Sequence, residues 1–343
     1  MKIVVLAGGI STERDVSLCS GRQVYDALKS RGHQVILLDV YLGIEEDITG
    51  IFESDRNWAA FVAPVGEKAP NIEEVKKSRK GNSKALFGPN VIDICKEADI
   101  VFMALHGDCG ENGKIQATFE LFDIKYTGTD SLSSAIAMDK ALTKQVFKSC
   151  GVKTPNSYIL MGPDDLRDPI FPCVVKVSGG GSSVGVYIVN NNEEYKAAVK
   201  EAFTYEDKVL VEEYIKGREF TDCVIQGMPL PIVEIQPKSG FYDYKNKYQA
   251  GSTIETCPAN ISSELKDSIQ EAAVDAYNAL GIKTYARMDF IVNENDEVYC
   301  LEANTLPGMT PTSLVPQEAA AIGKSFPDLC EWIIEISLEK YEE

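Results

Sequence analysis

The chain has 343 residues, 44% of them hydrophobic, and a formal net charge of −18 at pH 7. That length exceeds a usual single domain and predicts two or three, each able to bury a real core, and the composition lacks the polar bias of a disordered chain. So acidic a balance argues against nucleic-acid and anionic-membrane partners, which demand a basic face. Any anionic ligand must then be met by individual lysines in clefts.

KIVVLA (2–7) reads as a short buried-type strand that ends in Gly8-Gly9. Apolar residues at Val16, Cys19, Val24, Ala27 and Leu28 then follow a helical spacing that stops at Gly32. QVILLD (34–39) is a second strand, and ADIVFMAL (98–105) a later one. Strand, helix, strand in this order predicts a doubly wound parallel sheet. Ligands of such sheets bind beyond the carboxyl ends of the strands, which here carry GGISTERDVS and HGDCGENG. Residues 41–92 mix charged and turn-forming residues and give no readable pattern.

A helical stretch, 138–151, opens a second unit. PCVVKV and VGVYIVN flank a glycine run as an antiparallel pair, followed by a helix over 193–203 and a strand over 208–215. A third unit starts near Glu219 with PLPIVEIQ and the polar loop SGFYDYKNKYQAGST. A helix runs from about Glu264 to Leu280, closed by Gly281, and the strands ARMDFIV and EVYCLEAN follow, joined by the turn NEND. The expected division is 1–130, an α/β domain on a parallel sheet; 131–218, an α+β domain; and 219–343, a second α+β domain.

The nine cysteines stand singly, without a CxxC pair, and His33 and His106 are the only histidines. Reduced thiols in a cytosolic protein account for that pattern. The apolar run at the N-terminus is too short for a signal peptide, and no segment approaches the roughly 18 apolar residues of a membrane helix. A soluble, cytoplasmic protein is expected.

Two stretches carry chemistry. VVKVSGGGSSVGV (174–186) has a backbone bare enough to approach a phosphate and turn several N–H groups toward it; an ordinary hairpin loop is the alternative. It is neither a P-loop, lacking Gly-Lys-Ser/Thr, nor a dinucleotide fingerprint, because a strand follows where a helix should open. In the last hairpin, closing the turn between Val292 and Glu297 sets Arg287 opposite Glu302 and Asp289 opposite Cys300. Arg287, Asp289, Glu302 and Asn304 then share one face. Two carboxylates and an amide oxygen suit Mg²⁺; a solvated face with an Arg287–Glu302 pair is the alternative. Together with Lys140 and Lys176, the two stretches supply what nucleotide-dependent phosphoryl transfer requires.

Eight segments in order give the chain a familiar outline: GGISTERDVSL (8–18), ALHGDCGENG (104–113), MDK (138–140), VVKVSGGGSSVGV, VLVEEYIKGREFT (209–221), FYDYKNKY (241–248), ARMDF (286–290) and LEANTLPGMTPTSLVP (301–316). Over nearly its whole length the sequence resembles the D-alanine–D-alanine ligase family of ATP-grasp enzymes. The resemblance implies ATP held between the central and C-terminal domains, under a lid formed by the glycine run. Lys140, Lys176 and Ser183 would contact the nucleotide, Glu212, Tyr214 and Ile215 would line its base, and Glu219 its ribose. Asp289, Glu302 and Asn304 would hold two Mg²⁺ ions, with Mn²⁺ as a substitute.

The implied reaction builds a peptidoglycan precursor. The carboxylate of a first D-alanine attacks the γ-phosphate, and the amine of a second displaces phosphate from the acyl phosphate. Arg287 and the Gly308 N–H would stabilise the oxyanion. Glu13 would anchor the first ammonium and join Ser182 and Tyr248 in a hydrogen-bonded trio. Lys247, Ser313 and Leu314 belong to the second substrate's site. His106 lies in a matching motif as a substrate-site residue or a structural histidine. The family also implies a homodimer.

Departures are few. Tyr214 stands where many relatives carry tryptophan, Ala117 follows Gln116 where glycine is usual, Leu306 replaces a common serine, and the SGGG run lacks charged or larger residues. Rival readings join D-alanine to D-lactate or D-serine, or ligate L-amino acids. The Lys247-Tyr248 pair argues for D-alanine, whereas GGISTER and SLVP argue against L-amino acids. Intact Lys140, Lys176 and Arg287 argue against a silent nucleotide-binding module.

Overall fold

In the computed structural model, residues 1–63, 66, 70–80, 84–181, 185–238 and 252–342 are described. Strand β1 (Lys2–Ala7) pairs in parallel with β2 (Gln34–Asp39) on one side and β3 (Ile100–Met103) on the other. Ile3 to Ala7 are all fully buried, the near-continuous apolar run of a parallel strand covered on both faces. The helix Arg14–Ser30 joins β1 to β2 and buries Val16, Val24, Ala27 and Leu28. That is the face anticipated from their spacing, except that Cys19 is only half-buried. The unreadable excursion contributes a 3₁₀ turn at Ile51–Glu53 and the helix Ile72–Ser78, and a further helix, Val91–Glu97, starts at its end.

Contacts group the described chain into two units: Met1–Ser134 with Lys283–Ala286 and Thr305–Glu343, and Ala135–Ile282 with Arg287–Asn304. The first contains the parallel sheet and the C-terminal helices Leu314–Ala321 and Phe326–Glu339. The last helix opens on a capping box in which Ser325 and Asp328 each accept the other's backbone N–H, so two otherwise unpaired donors are satisfied. It packs on the helix Arg14–Ser30.

The second unit holds two sheets. Among the described residues the first has four antiparallel strands, β4 (Ser157–Leu160), β5 (Cys173–Val177), β6 (Val186–Val189) and β7 (Val209–Glu213), in the order β4-β7-β5-β6. The helix Asn192–Ala202 lays Tyr195, Ala198, Val199 and Ala202 over β5 and β6. The glycine run thus leaves β5 and returns on β6, with Lys176 paired to Val186.

The second sheet has six described strands: β8 (Gly217–Ile225), β9 (Met228–Pro229), β10 (Val233–Pro237), β11 (Thr253–Thr256), β12 (Tyr285–Asn293) and β13 (Val298–Asn304). Their order is β11-β10-β8-β12-β13, with β9 paired to β8. The helix Ser263–Ala279 begins one residue before the expected Glu264, because the Ser262 hydroxyl accepts Leu265 N–H (3.1 Å) as its N-cap. None of the described helices is long and apolar enough to cross a membrane.

The hairpin register differs from the one the turn suggested. A β-bulge between Asp289 and Phe290 sets Phe290 opposite Cys300, Asp289 opposite Glu302 and Arg287 opposite Asn304. The bulge absorbs one extra residue on β13, so the expected Arg287–Glu302 and Asp289–Cys300 pairings do not form. The four polar residues still share a face, now as two direct pairs, and Phe290 and Cys300 are buried.

Candidate active site

In the second unit, one cavity gathers the residues expected at a nucleotide. Lys140 comes from the start of the helix Lys140–Cys150, whose first turn is capped by Asp139 through Ala141 N–H and Leu142 N–H. Lys176 comes from β5, and Glu212, Tyr214 and Ile215 from β7 and the turn after it. Glu219 lies on β8, Asp289 on β12 and Glu302 on β13. Val174, Ile188, Phe290 and Leu301 supply apolar wall between them.

The charges are paired closely. Lys140 Nζ donates to Gly180 O (2.6 Å) and lies 3.2 Å from Glu302 Oε2, linking the glycine run to the acidic face. Arg287 grips Asp289 with Nε on Oδ1 (2.8 Å) and Nη2 on Oδ2 (2.7 Å), and the Thr221 hydroxyl donates to the same Oδ1 (2.7 Å). Lys176 Nζ sits 2.9 Å from Glu212 Oε2 and Lys144 Nζ 2.8 Å from Oε1. Burial pushes the Glu212 carboxyl up, but Lys176 and then Lys144 outweigh it, and the group is held below its ordinary value. Its neighbour Glu213 turns to the loop before β4, accepting Asn156 N–H (2.8 Å).

Asp289, Glu302 and Asn304 present hard oxygen donors from adjacent strands, a set that fits Mg²⁺. Among the described residues no group of three or more His, Cys, Asp or Glu is placed to hold a metal. Magnesium commonly takes only one or two carboxylates, with water and phosphate oxygens as its other ligands.

The first unit assembles a second group at the carboxyl ends of its strands. Arg14 Nη1 donates to Gly9 O (2.6 Å), and its Nη2 pairs with Asp39 at the end of β2. Asp39 Oδ1 also accepts Tyr41 N–H (2.9 Å). This buried pair pins the loop that leads to Glu13, itself buried. The Ser11 hydroxyl donates to His106 O (3.0 Å), tying that loop to the one after β3. His106 Nδ1 lies 3.1 Å from Leu306 O, which can only accept, so Nδ1 carries the proton; Nε2 faces Ser20 Oγ at 3.0 Å. Both ring nitrogens are engaged within the protein. Gly308 lies two residues beyond Leu306, close enough to Ser313 that a Cβ would come within 3.0 Å of its Oγ. Ser313 precedes the helix Leu314–Ala321 and exchanges hydrogen bonds with Thr310.

Ser182, Ser183, Lys247 and Tyr248 lie outside the described residues. Sequence reasoning missed Lys144, Arg14 and Asp39. Lys144 had a signal, four residues after Lys140 on one helix face; Arg14 adjoins Glu13. Asp39 had none beyond its place at the end of a strand.

A family model described as "D-ala D-ala ligase N-terminus" matches residues 2–129, and one described as "D-ala D-ala ligase C-terminus" matches 165–335. The chain belongs to the D-alanine–D-alanine ligase family. A family member from Pediococcus pentosaceus is 42% identical, over 100% of this chain and 99% of its own. One from Lacticaseibacillus casei is 41% identical over 99% and 97%. Among solved family structures, the D-alanine–D-alanine ligase from Bacillus anthracis complexed with ATP has a TM-score of 0.77 at 30% identity, covering both chains fully. The VanG D-Ala:D-Ser ligase from Enterococcus faecalis has a TM-score of 0.75 at 30% identity, over 98% of this chain and 99% of that one. The mixed α/β architecture, with one parallel and two antiparallel sheets, is that of the ATP-grasp class.

Proposed function

We propose that this chain joins two D-alanines into D-alanyl-D-alanine, converting ATP to ADP and phosphate, for peptidoglycan precursor synthesis. The observation that carries the reading is the cavity of the second unit. Lys140 and Lys176 and the facing carboxylates Asp289 and Glu302 converge at a slot whose apolar wall includes Val174, Ile188, Phe290 and Leu301. An apolar slot suits a purine, and fixed cations beside oxygen donors suit a triphosphate. The names of the relatives support D-alanine as substrate, and the Bacillus anthracis complex supports ATP.

Lys140 and Lys176 bind the phosphates, with Ser183 beside them. Glu212, Tyr214 and Ile215 line the base, and Glu219 holds the ribose. Asp289, Glu302 and Asn304 hold Mg²⁺, which when bound neutralises phosphate charge. Glu13 anchors the ammonium of the first D-alanine with its carboxylate directed at the γ-phosphate. Attack there makes the carboxyl an electrophile, because phosphate leaves where hydroxide would not. The amine of the second D-alanine, held by Lys247, Ser313 and Leu314, adds to that carbonyl. The oxyanion is met by Arg287 and the Gly308 N–H, preorganised donors of the kind that stabilise such charge. His106 orients the Gly308 segment through Leu306. Ser182 and Tyr248 complete the trio with Glu13.

The proposed division is 1–130, 131–218 as the lid, and 219–343, in a cytoplasmic homodimer. Phosphate release from ATP, with D-alanine, L-alanine, D-serine and D-lactate supplied singly and in pairs, tests the activity. Release that requires D-alanine and Mg²⁺ and yields the dipeptide is expected. Turnover on L-alanine alone would overturn it, and a preference for D-serine or D-lactate as second substrate would reassign the product.

A further inference from the structure

Lys144 lies one helical turn beyond Lys140 but is not among the residues that line the cavity. Its side chain is 2% exposed, and that of Glu212, which it approaches, is 3% exposed. The ammonium donates to Thr154 Oγ1 (2.7 Å) and Pro155 O (3.1 Å), both in the segment before β4. Glu212 Oε1 lies 2.8 Å from Nζ in a buried ion pair. The other carboxylate oxygen meets Lys176, which does line the cavity.

A buried carboxylate beside one lysine makes a neutral pair, and a neutral pair has little pull on a phosphate. Lys144 changes that balance. Two ammonium groups sharing one carboxylate carry a net charge of one, and the lysine on the cavity side is the one able to use it. We propose that Lys144 is a positioning residue for the nucleotide: it holds Glu212 and offsets its charge, so that Lys176 presents positive charge to the phosphates. The inference rests on the nucleotide reading of the cavity.

The charged and titratable groups around Lys144 come from three strands: Glu212 on β7, Lys176 on β5 and Cys300 on β13. Burial draws the Lys144 ammonium down, Glu212 opposes, Lys176 adds to the fall and Cys300 opposes it weakly, leaving the group at about 8. Cys300 stays a thiol, because burial pushes its ionisation far up. The net charge is therefore present below about pH 8 and is lost as pH rises through that value.

The test is calorimetric binding of a non-hydrolysable ATP analogue with Mg²⁺, between pH 7 and about 9.5, to the wild type and to Lys144→Met. A unit charge within about 10 Å of a phosphate, at an effective dielectric of about 20, shifts affinity about tenfold. Wild-type affinity should fall by that factor as pH passes through about 8. Lys144→Met should bind about tenfold more weakly at pH 7, hold that affinity across the range, and meet the wild type at the alkaline end. Its KM for D-alanine should stay within twofold of the wild type. A residue that merely fills the core would move the unfolding midpoint and leave the pH profile unchanged. Wild-type binding that is flat across the range overturns the inference, as does a folded Lys144→Met with wild-type affinity at pH 7. Should that variant not fold, the wild-type profile alone decides. Absence of binding by the wild type at every pH would overturn the nucleotide reading along with the inference.

Discussion

Replacing Gly107 by alanine separates the proposed first-substrate site from the fold. Gly107 has φ +74 and ψ −167, a region open almost only to glycine, where another residue carries strain of about 1–3 kcal/mol. The added Cβ would lie 2.6 Å from Glu13 Oε2, nearer than such atoms approach, so the carboxylate must shift. The strain alone is small against a stability of about 5–15 kcal/mol, and the fold should stand. A hydrogen bond to a charged group contributes about 1.5–3 kcal/mol. Misplacing Glu13 should therefore raise the KM for the first D-alanine about 10- to 150-fold. The KM for ATP should hardly change, because Glu13 touches no phosphate in this scheme. Initial rates with each substrate varied at saturating levels of the other give the answer. Glu13→Gln, which leaves the backbone alone, should move the same constant in the same direction. A D-alanine KM within twofold of the wild type, in a variant with a native near-UV circular dichroism spectrum, would refute the assignment of Glu13.

Two further outcomes follow from buried and facing carboxylates. Asp222, fully buried on β8, accepts Leu230 N–H on Oδ1 (3.1 Å), while Oδ2 has no hydrogen-bond partner among the described residues. Burial pushes its carboxyl well above the usual range. Above the unfolded value of about 3.9 the native state then keeps a proton that the unfolded chain has lost, so stability falls with rising pH by up to about 1.4 kcal/mol per unit. Asp222→Asn keeps the Oδ1 acceptor and does not titrate. Its urea midpoint should exceed that of the wild type by a margin that widens from pH 5 to pH 7, and a constant margin would contradict the argument. Glu302→Gln keeps the shape of the proposed metal face but removes one charge and the Lys140 ion pair. Turnover at ordinary Mg²⁺ should drop by at least tenfold and recover partly at high Mg²⁺, with thermal stability little changed; activity within a few-fold would favour a solvated face.

Much of this was legible in the sequence, and the exceptions have physical causes. The strand Lys2–Ala7 was readable because a parallel strand buried on both faces is a bare apolar run. The stretch 138–151 was readable as helical, but its ends were not: the helix runs Lys140–Cys150, between Asp139 as its N-cap and Gly151 as its C-cap. The shared face of Arg287, Asp289, Glu302 and Asn304 was found through alternation, but the pairing across the hairpin was not. A single bulge shifts register by one residue, and no glycine marks it. Lys144 and Asp39 were missed because their importance comes from partners distant in sequence, Glu212 and Arg14. Periodicity finds the face a residue belongs to; it does not find the charge that waits there.

The central claim is that the carboxylate of one D-alanine is phosphorylated by ATP before the amine of the other attacks. D-alanine labelled with ¹⁸O in both carboxylate oxygens tests it directly. Attack on the γ-phosphate makes one labelled oxygen the bridge of the acyl phosphate, and displacement at the carbonyl carries that oxygen away with phosphate. The account predicts one ¹⁸O in each inorganic phosphate released during dipeptide synthesis, by mass spectrometry, with the other retained in the new amide carbonyl. Unlabelled phosphate formed alongside the dipeptide would contradict it.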